Sequence, residues 1–167
     1  MVDMSIWVDE DDNVIGSKPN NQFKNSPYIT RSSHLYLFNS KGEVLLQKRS
    51  VQKSLWPGLY DISVSGTNQV GETYEQALVR EVKEEIGIDL EVFEEMYSYT
   101  FRSNIHNANK KAFRAVHEGP FTIDKSEVDS IQWYNLEELR QLVEKFPEKF
   151  CPPFPNALKM YFEKFPI

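Results

Sequence analysis

Gly66–Ile88 reads GTNQVGETYEQALVREVKEEIGI, and its reading decides the fold. Thr73 and Gln76 form a T-x-x-Q capping box, which predicts a helix starting near Tyr74. Gly87 stops it, because a residue without Cβ suits the left-handed position after a helix. Glu81, Glu84 and Glu85 stand at i, i+3 and i+4, so their carboxylates share one face. Leu78, Val79, Val82 and Ile86 form the neighbouring apolar face, expected to pack on a core. Like charges at this spacing repel. The arrangement makes sense if a cation sits among them, and Mg²⁺ takes such hard oxygens together with substrate phosphate. Gly66 and Gly71 bracket a loop that lets backbone approach a ligand closely. The plainer alternative is a solvated acidic helix face.

The rest of the chain sets bounds. Its 167 residues suit one domain, expected to span 1–167, with a sizeable core. The net charge of −6 offers no global basic footprint for nucleic acid or an anionic membrane. Cys151 is the only cysteine, so no intrachain disulfide is expected, and a reducing, cytoplasmic compartment fits. The opening MVDMSIWVDEDD is acidic where a signal peptide would be basic and then apolar.

Strands are expected at Met4–Val8 and Val14–Ile15, then a polar arm through Tyr28 that either wraps the domain or lids the substrate. Further strands are expected at Arg31–Phe38, Glu43–Lys48, Tyr60–Ser65, Glu91–Phe101, Ala112–Glu118 and Ile131–Tyr134. Arg102–Lys110 reads as a polar loop. Helices follow at Leu136–Lys145, capped by Asn135, and at about 157–165 beyond a proline cluster. Strands of this mix with helices before and after them predict an α/β sheet covered on both faces.

Lys48, Arg49 and Lys53 cluster; Arg49 could hold a phosphate as a fork and Lys53 as a point charge, or both could be solvated surface. His34 reads as a packed core residue, and His106 and His117 as surface residues without ligand spacing. Tyr99, Phe101, Trp133, Phe150 and Phe154 read as core rather than base-stacking aromatics. Cys151 has no paired base nearby and reads as inert.

The Gly66–Ile88 stretch resembles the signature of the Nudix hydrolases: G, five residues, E, seven residues, then R-E-U-x-E-E-x-G-U, where U is bulky and aliphatic. Gly66, Glu72, Arg80, Glu81, Val82, Glu84, Glu85, Gly87 and Ile88 fill every specified position. The segments HLYLFNSKGEVLLQKRS, LWPGLYDISVSG and HEGPF are similar to bacterial Nudix hydrolases related to isopentenyl-diphosphate isomerase. The resemblance implies a Nudix fold, an α/β/α sandwich around a mixed β-sheet. It implies Mg²⁺- or Mn²⁺-dependent hydrolysis of a diphosphate bond, with a nucleoside diphosphate linked to another group as first-choice substrate. Carried over by position, it implies Glu81, Glu85 and Glu84 as metal ligands, with a backbone carbonyl at Gly66 or Ser65 completing the set. Glu81 is the choice for general base, Arg80 orients the acidic cluster, and Glu72 supports it. Glu127 precedes the last strand, where some Nudix enzymes place an extra metal ligand or base. The resemblance also adds weight to Arg49 and Lys53 as phosphate ligands.

Two alternatives come from other classes. An isomerase would need a cysteine where Ser65 stands and histidines where Thr67 and Thr30 stand, with glutamates near Asn109 and Lys111 and an arginine in place of Glu81. A nucleotide-sensing module would be expected to lose catalytic glutamates, and this chain keeps them. The groups flanking the diphosphate stay open, as does assembly as a homodimer.

Overall fold

The computed structural model describes residues 2–166. Nine strands form one mixed sheet: β1 Met4–Val8, β2 Val14–Pro19, β3 Ile29–Phe38, β4 Val44–Arg49, β5 Tyr60–Ile62, β6 Val64–Thr67, β7 Glu94–Arg102, β8 Asn107–Val116 and β9 Val128–Tyr134. Helix α1 spans Tyr74–Ile86, α2 Leu136–Lys145 and α3 Phe154–Lys164. The axis is β3, which runs parallel to β8 from Ile29↔Asn107 to Phe38↔Val116 and antiparallel to β6 from Ser32↔Thr67 to Leu35↔Val64.

The apolar run Leu35-Tyr36-Leu37-Phe38 follows from that central position, since a strand covered on both faces needs no polar alternation. Leu35 and Leu37 point to one face, packing with Leu78, Val82 and Ile86 of α1. Tyr36 and Phe38 point to the other, packing with Leu139 and Val143 of α2 and Leu158 and Tyr161 of α3. The result is the expected α/β/α sandwich. No helix among the described residues is long and apolar enough to cross a membrane.

Helix α1 is built as its sequence dictates. Gln76 N–H donates to Thr73 Oγ1 at 3.1 Å, and Thr73 N–H donates to Gln76 Oε1 at 2.9 Å, closing the capping box. Gly87 takes φ +74°, and a Cβ there would lie 2.8 Å from the Thr122 carbonyl oxygen. Val79 departs from expectation: it is 37% exposed, while Tyr74 and Ala77 take the buried positions. Leu78, Val82 and Ile86 hold the expected core face of α1, whose edge runs through Tyr74 and Ala77 instead of Val79.

Several boundaries also differ: β2 extends to Pro19, β7 starts at Glu94 and β9 at Val128, and three further differences have a clear physical reason. The expected loop at Arg102–Lys110 is mostly strand, because β8 starts at Asn107 and pairs with β3 along its full length. Its polar residues are buried with partners from distant segments: Asn109 Nδ2 donates to Asp12 Oδ1 at 3.0 Å, and Asn107 Nδ2 donates to the Ser26 carbonyl at 2.9 Å. The expected strand Tyr60–Ser65 is split at Ser63, whose hydroxyl accepts from Leu37 N–H and donates to the Leu45 carbonyl. Helix α3 starts at Phe154 despite Pro153 and Pro155, since proline is tolerated in a first turn, where its missing N–H has no intrahelical role.

Leu78 is fully buried and Val79 is not, so the two adjacent residues should respond differently to truncation. Leu78→Ala is expected to cost about 2–5 kcal/mol, as for core leucines generally. Val79→Ala should stay within about 0.5 kcal/mol, as surface changes do. Urea denaturation of both variants checks this; equal losses would place Val79 in the core.

Candidate functional site

Gly66 lies one residue before the end of β6, against α1, and the closeness of that approach defines the site. A Cβ on Gly66 would lie 2.0 Å from both Cγ and Cδ of Glu81. Only glycine therefore lets the Glu81 carboxylate lie on the β6 backbone. One turn further along α1, Glu85 is 4% exposed and accepts from Gln47 Nε2 at 2.8 Å. Glu84 stands on the same face but at the rim, with its side chain 54% exposed.

Arg80 ties these carboxylates together. Its Nε donates to Glu72 Oε1 at 2.6 Å, and its Nη2 donates to Glu72 Oε2 at 3.0 Å, a two-pronged pair. Its Nη1 donates to Glu81 Oε1 at 2.8 Å and to Glu84 Oε2 at 3.1 Å. Nη2 also donates to the Thr67 carbonyl at 3.0 Å, pinning the guanidinium to β6. Glu72 is held from its other side by Gln69 N–H at 2.8 Å. Burial pushes the Glu72 carboxyl up, but the bonds from Arg80 and Gln69 outweigh it and leave its pKa low.

Glu81 and Glu85 behave oppositely. Burial is the main cause lifting the Glu81 pKa to about 7, with Glu84 adding to it and Arg80 opposing it. Burial, then the Glu81 charge, pushes Glu85 well above the carboxylate range. Two carboxylates that resist ionisation together form a site short of positive charge. A divalent cation fits that deficit, and Glu81, Glu85 and the rim residue Glu84 are the oxygens that could hold one, beside the Gly66 backbone. Among the described residues, no three acidic, histidine or cysteine side chains converge as a preformed ligand cage. Glu81 is turned to Arg80 and Glu85 to Gln47.

These residues line one wall of a cleft of about 210 Å³. Arg49, Lys53, Glu127, Lys110, His34, Trp56 and His106 also line it. The Arg49 guanidinium is fixed by the Leu55 carbonyl, at 3.1 Å from Nε and 2.9 Å from Nη2, and faces Asp61 at 3.8 Å. Lys53 and Glu127 form a direct ion pair. The structure thus brings every expected site residue to the cleft or its immediate support.

The sequence reading missed the cleft floor. Lys110, polar enough to suit a loop, lies in β8 and is 4% exposed, and burial lowers its pKa to about 8. Its Nζ lies 3.1 Å from His34 Nε2, which also meets Ser65 Oγ at 2.9 Å. Tyr99 OH lies 2.7 Å from His34 Nδ1, so this histidine is the packed, hydrogen-bonded residue expected, though it also lines the cleft. His106 was expected at the surface and is instead 8% exposed, edge-on to Trp56 with ring centroids 5.7 Å apart. His117 accepts from Gly119 N–H at 2.9 Å, outside the cleft. Phe150, Phe154 and Tyr99 belong to the core, and Phe101 packs on Trp56. Cys151 is buried beside Asp61, and burial pushes its thiol far up, in keeping with inertness. The missed residues share β8 or the loop before it, where buried polar side chains leave no periodic signal in the sequence.

Comparison with known proteins agrees with this geometry. Residues 28–154 match the NUDIX domain family. An uncharacterized Nudix hydrolase of Pseudomonas aeruginosa is 32% identical over 161 residues, covering 94% of this chain and 92% of that protein. A prenyl-diphosphate phosphatase of Methanosarcina mazei is 33% identical over 165 residues, covering 94% of each chain. The crystal structure of DR0079 from Deinococcus radiodurans superposes with a TM-score of 0.82 at 23% identity, covering 94% of this chain and 98% of that one. With the family matched from β3 through α2, and relatives aligned along nearly its whole length, this chain belongs to the Nudix hydrolases, enzymes that cleave pyrophosphate bonds and generally use divalent metal ions.

Proposed function

We propose that this chain hydrolyses the diphosphate bond of an organic diphosphate with Mg²⁺ or Mn²⁺, and that nucleoside diphosphates linked to another group are its substrate class. One observation carries the reading: half-buried Glu81 and buried Glu85, over Gly66, share one cleft with Arg49, Lys53 and Lys110. Carboxylates on one side and cations on the other suit a metal–diphosphate substrate.

A divalent cation held by Glu81, Glu85 and Glu84 would supply Lewis-acid polarisation of the phosphoryl group. The remaining work belongs to the chain. Arg49 and Lys53 bind the diphosphate and stabilise charge on the departing phosphate. Glu81 accepts the proton of the attacking water, a task suited to a carboxylate whose pKa lies at about 7. Arg80 fixes Glu81 and Glu84 and is itself anchored by Glu72 and the Thr67 carbonyl. Glu127 holds Lys53 in the cleft and stands ready as a further ligand or base. Water adds to one phosphorus, the bridging P–O bond breaks, and two phosphate products leave.

The Methanosarcina mazei relative favours a second substrate class, prenyl diphosphates, for the same bond cleavage. Isomerisation is disfavoured by the cleft floor. Ser65 occupies the place of the required thiol, and Thr30 Oγ1 donates to the Ile6 carbonyl at 3.1 Å rather than facing the cleft as a ligand. Retention of all the signature carboxylates argues against a module that only senses nucleotides.

Glu81→Gln is expected to lower kcat at least about 10²-fold at saturating Mg²⁺, the low end for loss of an acid–base group. Steady-state hydrolysis over a panel of nucleoside and prenyl diphosphates measures this and names the substrate; unchanged kcat would remove Glu81 from its role. Lys53→Ala should raise KM for the best substrate, and unchanged KM and kcat would return Lys53 to the solvated surface.

Stability should also link protons to metal. The folded-state pKa of Glu81 is raised from 4.5 to about 7, and Glu85 is raised as well. The folded protein therefore binds more protons than the unfolded chain across that window, and metal-free stability falls as pH rises through it. Mg²⁺ competes with those protons, so its increase in Tm should be larger at pH 8 than at pH 5. Thermal melts at both pH values test this, and an Mg²⁺ effect independent of pH would separate the metal from these two carboxylates.

A further inference from the structure

A second compartment of about 190 Å³ adjoins the cleft and shares Arg49, Lys53, Leu55 and His106 with it. Its far side is the arm after β2, where Phe23 contributes a ring that is 4% exposed. The arm is fastened rather than draped. Lys24 Nζ donates to the Ser54 carbonyl at 2.6 Å, and Asn25 N–H donates to the Ile105 carbonyl at 2.8 Å. The expected choice between a wrap and a lid is thus met by a fixed wall.

His106 stands where the two compartments meet. Its backbone is clamped by Ser103, whose hydroxyl accepts from His106 N–H and donates to the His106 carbonyl, both at 3.0 Å. Its ring is held against Trp56. Among the described residues, neither ring nitrogen makes a hydrogen bond, and neither is sealed from solvent although the residue as a whole is 8% exposed, so its polar edge opens to the cleft. An unpaired polar edge that opens to a cleft is free to bond a ligand held there. Burial, then Lys110 and Arg49, hold its pKa at about 3, so the ring is uncharged at working pH and offers one N–H and one lone pair.

We infer that the compartment beneath the arm receives the organic group of a diphosphate ester, and that the His106 ring N–H donates to the ester oxygen joining that group to the diphosphate. This rests on the diphosphate reading of the cleft. Arg49 and Lys53 line both compartments, so a diphosphate between them directs its ester bond across the boundary that His106 occupies. His106 is then a specificity residue, separating diphosphate esters from inorganic diphosphate. The compartment lies below the roughly 300 Å³ at which pockets for drug-sized ligands begin, so it admits a small group or the first part of a larger one.

The test is calorimetric binding of inorganic diphosphate, isopentenyl diphosphate and adenosine diphosphate, with Mg²⁺, in a Glu81→Gln background that suppresses turnover. His106→Phe keeps a flat ring against Trp56 and removes the donor; His106→Asn restores a donor and serves if the first variant folds poorly. At least one organic diphosphate should bind more tightly than inorganic diphosphate. His106→Phe should weaken that compound about 5- to 10-fold, the loss of one neutral hydrogen bond, and His106→Asn should recover part of it. Inorganic diphosphate should change less than about twofold by the same measure. Equal losses for both ligands, no loss for either, or no preference for the organic compounds would each overturn the inference. Wild-type turnover is measured separately: selective binding without hydrolysis would retire the hydrolase reading and leave the subsite standing.

Discussion

Two carboxylates, half-buried Glu81 and buried Glu85, stand one helical turn apart against a strand, and much of the surrounding structure compensates for that. Removing an ionised carboxylate from water costs several kcal/mol even after relaxation. Gln47 reaches across the sheet to Glu85, and Arg80 neutralises part of Glu81. Arg80 in turn needs Glu72 and the Thr67 carbonyl to hold its own guanidinium in place. Glu72 is set by the loop between β6 and α1, and that loop ends in the capping box that starts the helix. The signature residues are thus successive links in one hydrogen-bonded chain, from sheet to loop to helix and back to sheet.

That chain explains why the decisive stretch could be interpreted without a structure. Its constraints are local: the cap, the i and i+4 spacing, and the glycine that follows the helix all act within a few residues. Gly66 is the exception, since its partner is Glu81, fifteen positions away, and only the signature pattern pointed to it. The sandwich itself was equally accessible, because Leu35-Tyr36-Leu37-Phe38 must be covered on both faces.

The cleft floor was hidden for a physical reason. Asn107, Asn109 and Lys110 have the polarity of a loop, and local patterning assigns them to one. They are buried because their partners come from the β1–β2 turn, the arm and β3, between 76 and 97 residues away in sequence. Hydrophobic periodicity cannot reveal a strand whose polar side chains are satisfied at such range. The one-residue error at Val79 is of a different kind. A helix stripe is wide enough to accept either residue, and only the packing of Tyr74 and Ala77 chooses between them.

The two halves of the cleft differ in how they handle charge. On the α1 wall, protons or a divalent cation must offset buried acid. On the floor, burial lowers Lys110 to about 8 and keeps His34 and His106 uncharged, so positive charge there is costly as well. Asp61 eases that cost for Lys110 and Arg49, yet burial raises its own pKa. The metal–diphosphate substrate proposed above would bring cation to the acidic wall and anion to the basic floor in a single binding event. Each wall disfavours charge on its own, so on that proposal one ligand would relieve both. The same low-dielectric cleft that makes these charges costly alone makes their interaction with such a ligand strong, and this reciprocity joins the fold to the chemistry.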